Sequence, residues 1–198
     1  MRYLLDVSKT CYPKRVATWP ELIRGQLLTP LTLYRRCTDV FAIDNGCYSG
    51  FTARVEKRFK HLLKREWDYR ENCLFVCIPD KVGCHKTTLK MWNDLNHLCN
   101  GYKKAFVAQD GFDFMPPDAD ALFIGGTNKF KDSVEVEKIV RNAIEKNIHV
   151  HIGRVNYEER FKKFQEIGAN TCDGSAICRY DWVIEELKNN LSGLYNSF

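Results

Sequence analysis

The chain places residues capable of chemistry at the ends of apolar runs. Phe41-Ala42-Ile43 is followed by Asp44-Asn45-Gly46, Phe75-Val76-Cys77-Ile78 by Pro79-Asp80, and Phe106-Val107-Ala108 by Gln109-Asp110-Gly111. Further on, Leu122-Phe123-Ile124 leads into Gly125-Gly126, Val150-His151-Ile152 into Gly153-Arg154, and Thr171-Cys172 into Asp173-Gly174. Singly, each has a structural reading: Asp-Asn-Gly and Asp-Gly form turns, an Asp after a strand caps a helix, and paired glycines permit a tight bend. Together they form a set of carboxylates with an amide, a glycine pair and an arginine. The chain lacks a Gly-x-Ser-x-Gly elbow, a phosphate-loop lysine and a compact His/carboxylate metal motif. Carboxylates without those motifs suit substitution at a sugar anomeric carbon, where one acid attacks or stabilises an electron-poor centre and a second handles the leaving group's proton. Glutamine and glycine backbone groups can then hydrogen-bond the edge of a planar heterocycle.

Such residues act together only if the fold converges them. Strands are expected over Tyr3 to Val7, Val40 to Ile43, Leu74 to Ile78, Ala105 to Ala108, Ala121 to Ile124, His149 to Ile152 and Asn170 to Cys172. Helical spacing joins Phe51, Val55, Phe59 and Leu62, then Leu89, Trp92 and Leu95, then Val136, Ile139, Val140, Ala143 and Ile144. Asn156 and Glu159 read as a helix start ahead of Phe161, Phe164 and Ile167, Gly168 as its end, and a last helix is expected from about Tyr180 to Leu191. Strand alternating with helix indicates parallel βαβ units, and parallel strands point their carboxyl ends at one face. Roughly seven strands fit a doubly wound sheet or a barrel; no Gly-x-Gly-x-x-Gly turn follows the first strand. At 198 residues the chain reads as one domain, and a barrel of that length would be trimmed.

Composition narrows the setting. With 30 Lys+Arg against 25 Asp+Glu the net charge is +5, which permits a polyanionic partner. Arg54, Lys57, Arg58, Lys60, Lys64 and Arg65 cluster on one segment, a candidate phosphate-contacting face as well as an ordinary solvated one. The nine cysteines contain no Cys-x-x-Cys pair, which points to reduced thiols in a cytoplasmic protein with no bound metal. No membrane span or signal sequence is read. His149 and His151 should share one strand face, as satisfied strand histidines rather than metal ligands.

Taken in order, Asp-Asn-Gly, Pro-Asp, Val-Ala-Gln-Asp-Gly, Phe-Ile-Gly-Gly, His-Ile-Gly-Arg-Val-Asn and Cys-Asp-Gly resemble the tRNA-guanine transglycosylase superfamily. They are most similar to its short branch in phages and bacterial DNA-modification clusters, with the resemblance running from about Gly25 to Arg179. It implies a trimmed TIM-type (β/α) barrel of seven or eight parallel strands in one domain. It implies replacement of guanine by a 7-deazaguanine base in DNA, with Asp173 as nucleophile and Asp44 as acid/base. Asp80, Gln109, Gly125 and Gly126 match positions that grip the purine edge. Asn45, His151, Arg154, Asn156 and Arg179 are expected around the substrate, and Arg54, Lys57 and Arg58 against nucleic-acid phosphates. The superfamily's Cys-x-Cys-x-x-Cys…His zinc segment is missing, which argues against tRNA as substrate and zinc as cofactor. Asn45 and Cys47 replace the small residues that follow the first aspartate in the family. The expected partners are DNA, guanine, a 7-deazaguanine base and, for context reading, a second protein. The cellular location is the cytoplasm, a host's if the chain is phage-encoded. The other readings are guanine exchange in tRNA, a base-releasing glycosylase or nucleoside (deoxy)ribosyltransferase, and a non-catalytic base- or nucleic-acid-binding subunit.

Overall fold

The computed structural model describes residues 1–180 and 182–187. Eight parallel strands close into a barrel in chain order: β1 Arg2–Leu5, β2 Ile23–Leu28, β3 Phe41–Ile43, β4 Cys73–Cys77, β5 Lys104–Ala108, β6 Ala121–Ile124, β7 His149–Ile152 and β8 Thr171–Cys172. β8 returns to pair with β1 through Arg2 with Thr171 and Tyr3 with Cys172, so no strand edge is left open. The TIM-type barrel expected from the sequence is therefore the fold, with its full complement of strands.

Its trimming lies in the connections. Helices α1 Tyr12–Thr18, α2 Ala53–Glu66, α3 His85–Leu95, α4 Asn128–Lys131, α5 Val134–Glu145, α6 Glu158–Ile167 and α7 Ser175–Arg179 follow β1, β3, β4, β6, β7 and β8, the β6 connection holding two. The β2–β3 and β5–β6 connections carry no helix.

β2 went unread in the sequence because Gly25 and Gln26 interrupt its apolar run. Both are required. A Cβ on Gly25 would run into the Val40 carbonyl oxygen on the segment entering β3. The fully buried Gln26 amide donates to the carbonyls of Val7 (3.0 Å) and Arg35 (3.3 Å), and its oxygen accepts from the Cys37 N–H (2.9 Å). One polar side chain thus satisfies the backbone of the helix-free loop that a missing helix would otherwise have covered.

Alternation along the strands makes two apolar layers. Leu4, Leu27, Ala42, Phe75, Cys77, Ala105, Val107, Ala121 and Phe123 fill the barrel, while the opposite faces pack against helices through residues such as Leu5, Ile43, Phe59, Phe106, Val140 and Phe164. His149 and His151 do share the inward face. Both meet the Phe75 ring, and His151 stacks on Phe123 with centroids 4.6 Å apart.

Two helix expectations change. Asn156 does not cap α6, whose N-cap is Tyr157 without a side-chain bond; the Asn156 oxygen instead accepts the Ala176 N–H (3.0 Å), tying the β7 loop to α7. α7 ends with Tyr180 in an extended conformation, residues 182–187 are helical, and the remainder of the expected Tyr180 to Leu191 helix lies outside the described residues. Gly168 ends α6 at φ 96°, the left-handed conformation expected of it. The cysteines among the described residues are all free. No helix there is long and apolar enough to cross a membrane.

Candidate active site

The carboxyl ends of the strands surround a narrow cavity of about 140 Å³. Asp44, Asn45, Asp80, Gln109, Gly125, Gly126, Arg154 and Asp173 all line it, so most of the residues singled out in the sequence converge. Apolar walls from Leu27, Val107 and Phe123 complete it, with Tyr48 and Lys131. A few polar groups fixed among apolar walls is the usual make-up of a small-molecule site.

Asp80, Asn45 and Gln109 form one buried strip. The Asn45 amide donates to Asp80 Oδ1 (2.7 Å) and to the Ile78 carbonyl (2.8 Å), and Gln109 Nε2 donates to Asp80 Oδ2 (2.6 Å). Gln109 Oε1 accepts the Gly83 N–H (2.8 Å) and Asn45 Oδ1 the Cys47 N–H (2.8 Å), which fixes both amide orientations. Burial raises Asp80 to about 6 against those two amide bonds. Gly125 is needed for this packing, since a Cβ would lie 2.7 Å from Gln109 Nε2. Gly126 turns the chain at φ 76°, beside Asp110, which accepts from the Thr127 hydroxyl (2.6 Å) and so orders the turn instead of entering the cavity.

Asp173 is held from two sides. Its Oδ1 accepts the Arg154 backbone N–H (3.1 Å), and its Oδ2 lies 3.1 Å from Nε2 of the fully buried His151. Behind it, the Thr171 hydroxyl meets His151 Nδ1 (2.9 Å) and His149 Nε2 (3.0 Å), so the imidazole that orients the carboxylate is itself oriented. Arg154 presents its N–H from a left-handed backbone, φ 59°, a conformation disfavoured for a non-glycine residue. Its neighbours over-determine it. The Arg160 guanidinium donates to the Arg154 carbonyl (3.1 Å), the Val155 N–H donates to the Asp173 carbonyl (2.6 Å), and the Tyr3 hydroxyl donates to the Val155 carbonyl (3.1 Å).

Asp44 accepts the Gly46 N–H (3.3 Å) and is pushed up to about 7, first by burial, then by the charges of Asp173 and Asp80. The mutual repulsion places the three carboxylates within electrostatic reach of one another. Asp44, Asp173 and Leu27 also line a second, wider cleft of about 460 Å³, bounded by Asp6, Thr29, Thr32, Cys178 and Arg179. Asp6, raised to about 6 mainly by burial, was not singled out in the sequence because the expected strand ran from Tyr3 to Val7 and enclosed it, whereas β1 ends at Leu5.

The raised Asp44 has a measurable consequence. A carboxyl that titrates at about 7 in the fold and 3.8 in the unfolded chain is harmless below 3.8, and its stability contribution is lost as pH rises through that window. Asp44→Asn should therefore raise stability at pH 7.5 by about 2 kcal/mol, discounted for partial exposure from roughly 1.4 kcal/mol per unit, and by almost nothing at pH 4. Denaturant unfolding at the two pH values checks this; equal gains at both would remove the electrostatic explanation.

The other expected site residues lie apart from the cavity. His151 stands behind Asp173, Asn156 buttresses α7, and the exposed Arg179 lines the wider cleft. Arg54 and Lys57 are exposed on α2, while Arg58 donates to the Leu31 carbonyl (2.9 Å). Lys131, by contrast, lines the cavity although nothing in the sequence distinguished it from a solvent-facing helical lysine. Its one sequence signal is position, on the short helix directly after Gly125-Gly126.

No protein-family model and no curated protein matches the chain. Among solved structures it is similar to the PaMucR phosphodiesterase in complex with c-di-GMP, at 15% identity and a TM-score of 0.43 over 71% of this chain and 61% of that one. It is also similar to the EAL enzyme Bd1971 in its cGMP-bound form (14%, TM-score 0.41) and its cAMP- and cyclic-di-GMP-bound form (13%, TM-score 0.39), each over 75% of this chain and 43% of the other. The chain thus spans about half the length of these structures. The expectation of guanine exchange for 7-deazaguanine in DNA is corrected at this point, because the solved structures that match are of cyclic-nucleotide-binding enzymes and a phosphodiesterase. At these scores the likeness assigns no substrate to this chain.

Proposed function

We propose that this protein is a hydrolytic enzyme acting on a small molecule that bears a nucleobase-like heterocycle, with Asp44 as proton donor and Asp173 as base. One observation carries this reading: Asp44 and Asp173 stand on the wall shared by the narrow cavity and the wider cleft. A planar group fits the narrow side, where Asp80 and Gln109 offer acceptors and a donor at fixed positions between apolar walls. The rest of the substrate then occupies the wider side, which also admits water. The bond between the two parts lies beside the acids.

In the step that follows, water oxygen attacks the reacting centre and gives its proton to Asp173, while Asp44 gives a proton to the departing atom. Asp44 suits the donor role because it is still half protonated at about pH 7. Asp173 suits the base role because the Arg154 N–H and His151 ring hold both its oxygens.

The test is incubation with a panel of purine nucleosides, nucleotides and cyclic dinucleotides, with products resolved by mass spectrometry. Turnover of at least one member is expected, lost in Asp173→Asn, with kcat/KM falling as pH rises past about 7 because Asp44 loses its proton. A panel left unchanged, or products formed equally by Asp173→Asn, would defeat the proposal.

A further inference from the structure

Lys131 is 1% exposed and lines the narrow cavity beside Arg154 and Asp173. Its own helix ends beside Asp132, yet that carboxylate is taken: Arg160 grips it through Nε (3.0 Å) and Nη2 (2.8 Å). Among the described residues the Lys131 ammonium has no hydrogen bond or ion pair of its own, although the Asp173 and Asp132 carboxylates lie within electrostatic reach. Burial first, then the positive charges of Arg154 and Arg160, lower Lys131 to about 8 against the opposing pull of the Asp173 and Asp132 carboxylates. A cation with so little exposure and no hydrogen-bonded partner is poorly solvated at the cavity wall, and an anion entering the cavity would supply that partner. A fold that keeps a lysine there is one in which an anion completes the site.

We propose that Lys131, assisted by Arg154, is the anion-binding residue of this cavity, and that the substrate carries a phosphoryl group as a nucleotide does. The inference deepens the reading above by naming the substrate class, and it rests on that reading only for the heterocycle. Arg154 is suited to the assisting role: its guanidinium lies over the Tyr48 ring, 4.9 Å from the centroid, at the cavity rim, where it can swing toward an entering anion.

Binding, not turnover, tests it. Isothermal titration would compare guanosine and adenosine with their 5′-monophosphates, and would include inorganic phosphate, on the wild-type chain and on Lys131→Met. Methionine fills nearly the same volume without the charge, so the variant should unfold at a temperature no lower than wild type. The monophosphates should bind wild type at least about tenfold more tightly than the nucleosides, and that preference should shrink to about twofold in Lys131→Met. Lys131→Arg should retain part of it. Equal binding of nucleosides and monophosphates by wild type, or an unchanged preference in Lys131→Met, would overturn the assignment. Lys131-dependent binding of inorganic phosphate without any binding of nucleosides would keep the anion site and refute the heterocycle reading instead.

Discussion

Asp173→Asn is expected to fold as wild type does and to lose about a thousandfold or more in turnover. The fold survives because an amide can replace the carboxylate without stranding a buried group. Its oxygen takes the Arg154 N–H, and its NH2 donates to His151 Nε2, while His151 Nδ1 donates to the Thr171 hydroxyl. Chemistry fails because the amide cannot accept a proton from the attacking water. Thermal unfolding within a few degrees of wild type, measured beside the product assay, separates the two effects. A variant that keeps a tenth of wild-type activity would remove Asp173 from the reaction. Substituting His151 is a milder test of the same arrangement, since His151 orients the carboxylate from behind and stacks on Phe123 of the cavity wall.

Gly25→Ala should do the opposite, destroying the fold without touching the site chemistry. The added methyl would run into the Val40 carbonyl oxygen and lie 2.9 Å from its carbon. That same oxygen accepts the Gln26 N–H (3.1 Å), and β2 pairs with β3 through Gln26 with Phe41 and Leu27 with Ala42. Relief requires β2 to move away from β3, which opens a barrel whose stability depends on closure, and it displaces the buried Gln26 amide from the loop it satisfies. A loss of about 4 kcal/mol or more follows, enough to unfold a marginally stable domain, and it would be read as loss of soluble protein or a collapsed denaturation midpoint. Gly50→Ala is the control, because open space surrounds that glycine and only its φ of 100° opposes a side chain. A Gly25→Ala protein as stable as that control would show that β2 and β3 can separate freely.

Much of this protein was legible as sequence because the two periods are distinct. The strands β3 through β7 are short apolar runs that end abruptly in Asp44, Asp80, Gln109, Gly125 and Arg154, and parallel strands oblige those ends to share a face. The helices α2, α3 and α5 announce themselves by three-and-four spacing. Where polarity inside the fold mattered, the pattern misled. Gln26 looks like a break in a strand and is a fully buried brace of one, and Asn156 looks like a helix cap and instead pins the neighbouring loop.

The amino-acid order by itself determined the strand ends, the shared strand face of His149 and His151 and the convergence of Asp44, Asp80, Gln109 and Asp173, since all of these follow from local periodicity and the shared direction of parallel strands. Only the tertiary structure decided that eight strands close, that Asp44 and Asp173 stand between two cavities, and that Lys131 lines one of them at 1% exposure with no hydrogen bond or ion pair among the described residues. Those facts depend on contacts between segments far apart in the chain, such as Arg2 with Thr171 and Gly25 against Val40, and on charges whose cost is set by what surrounds them.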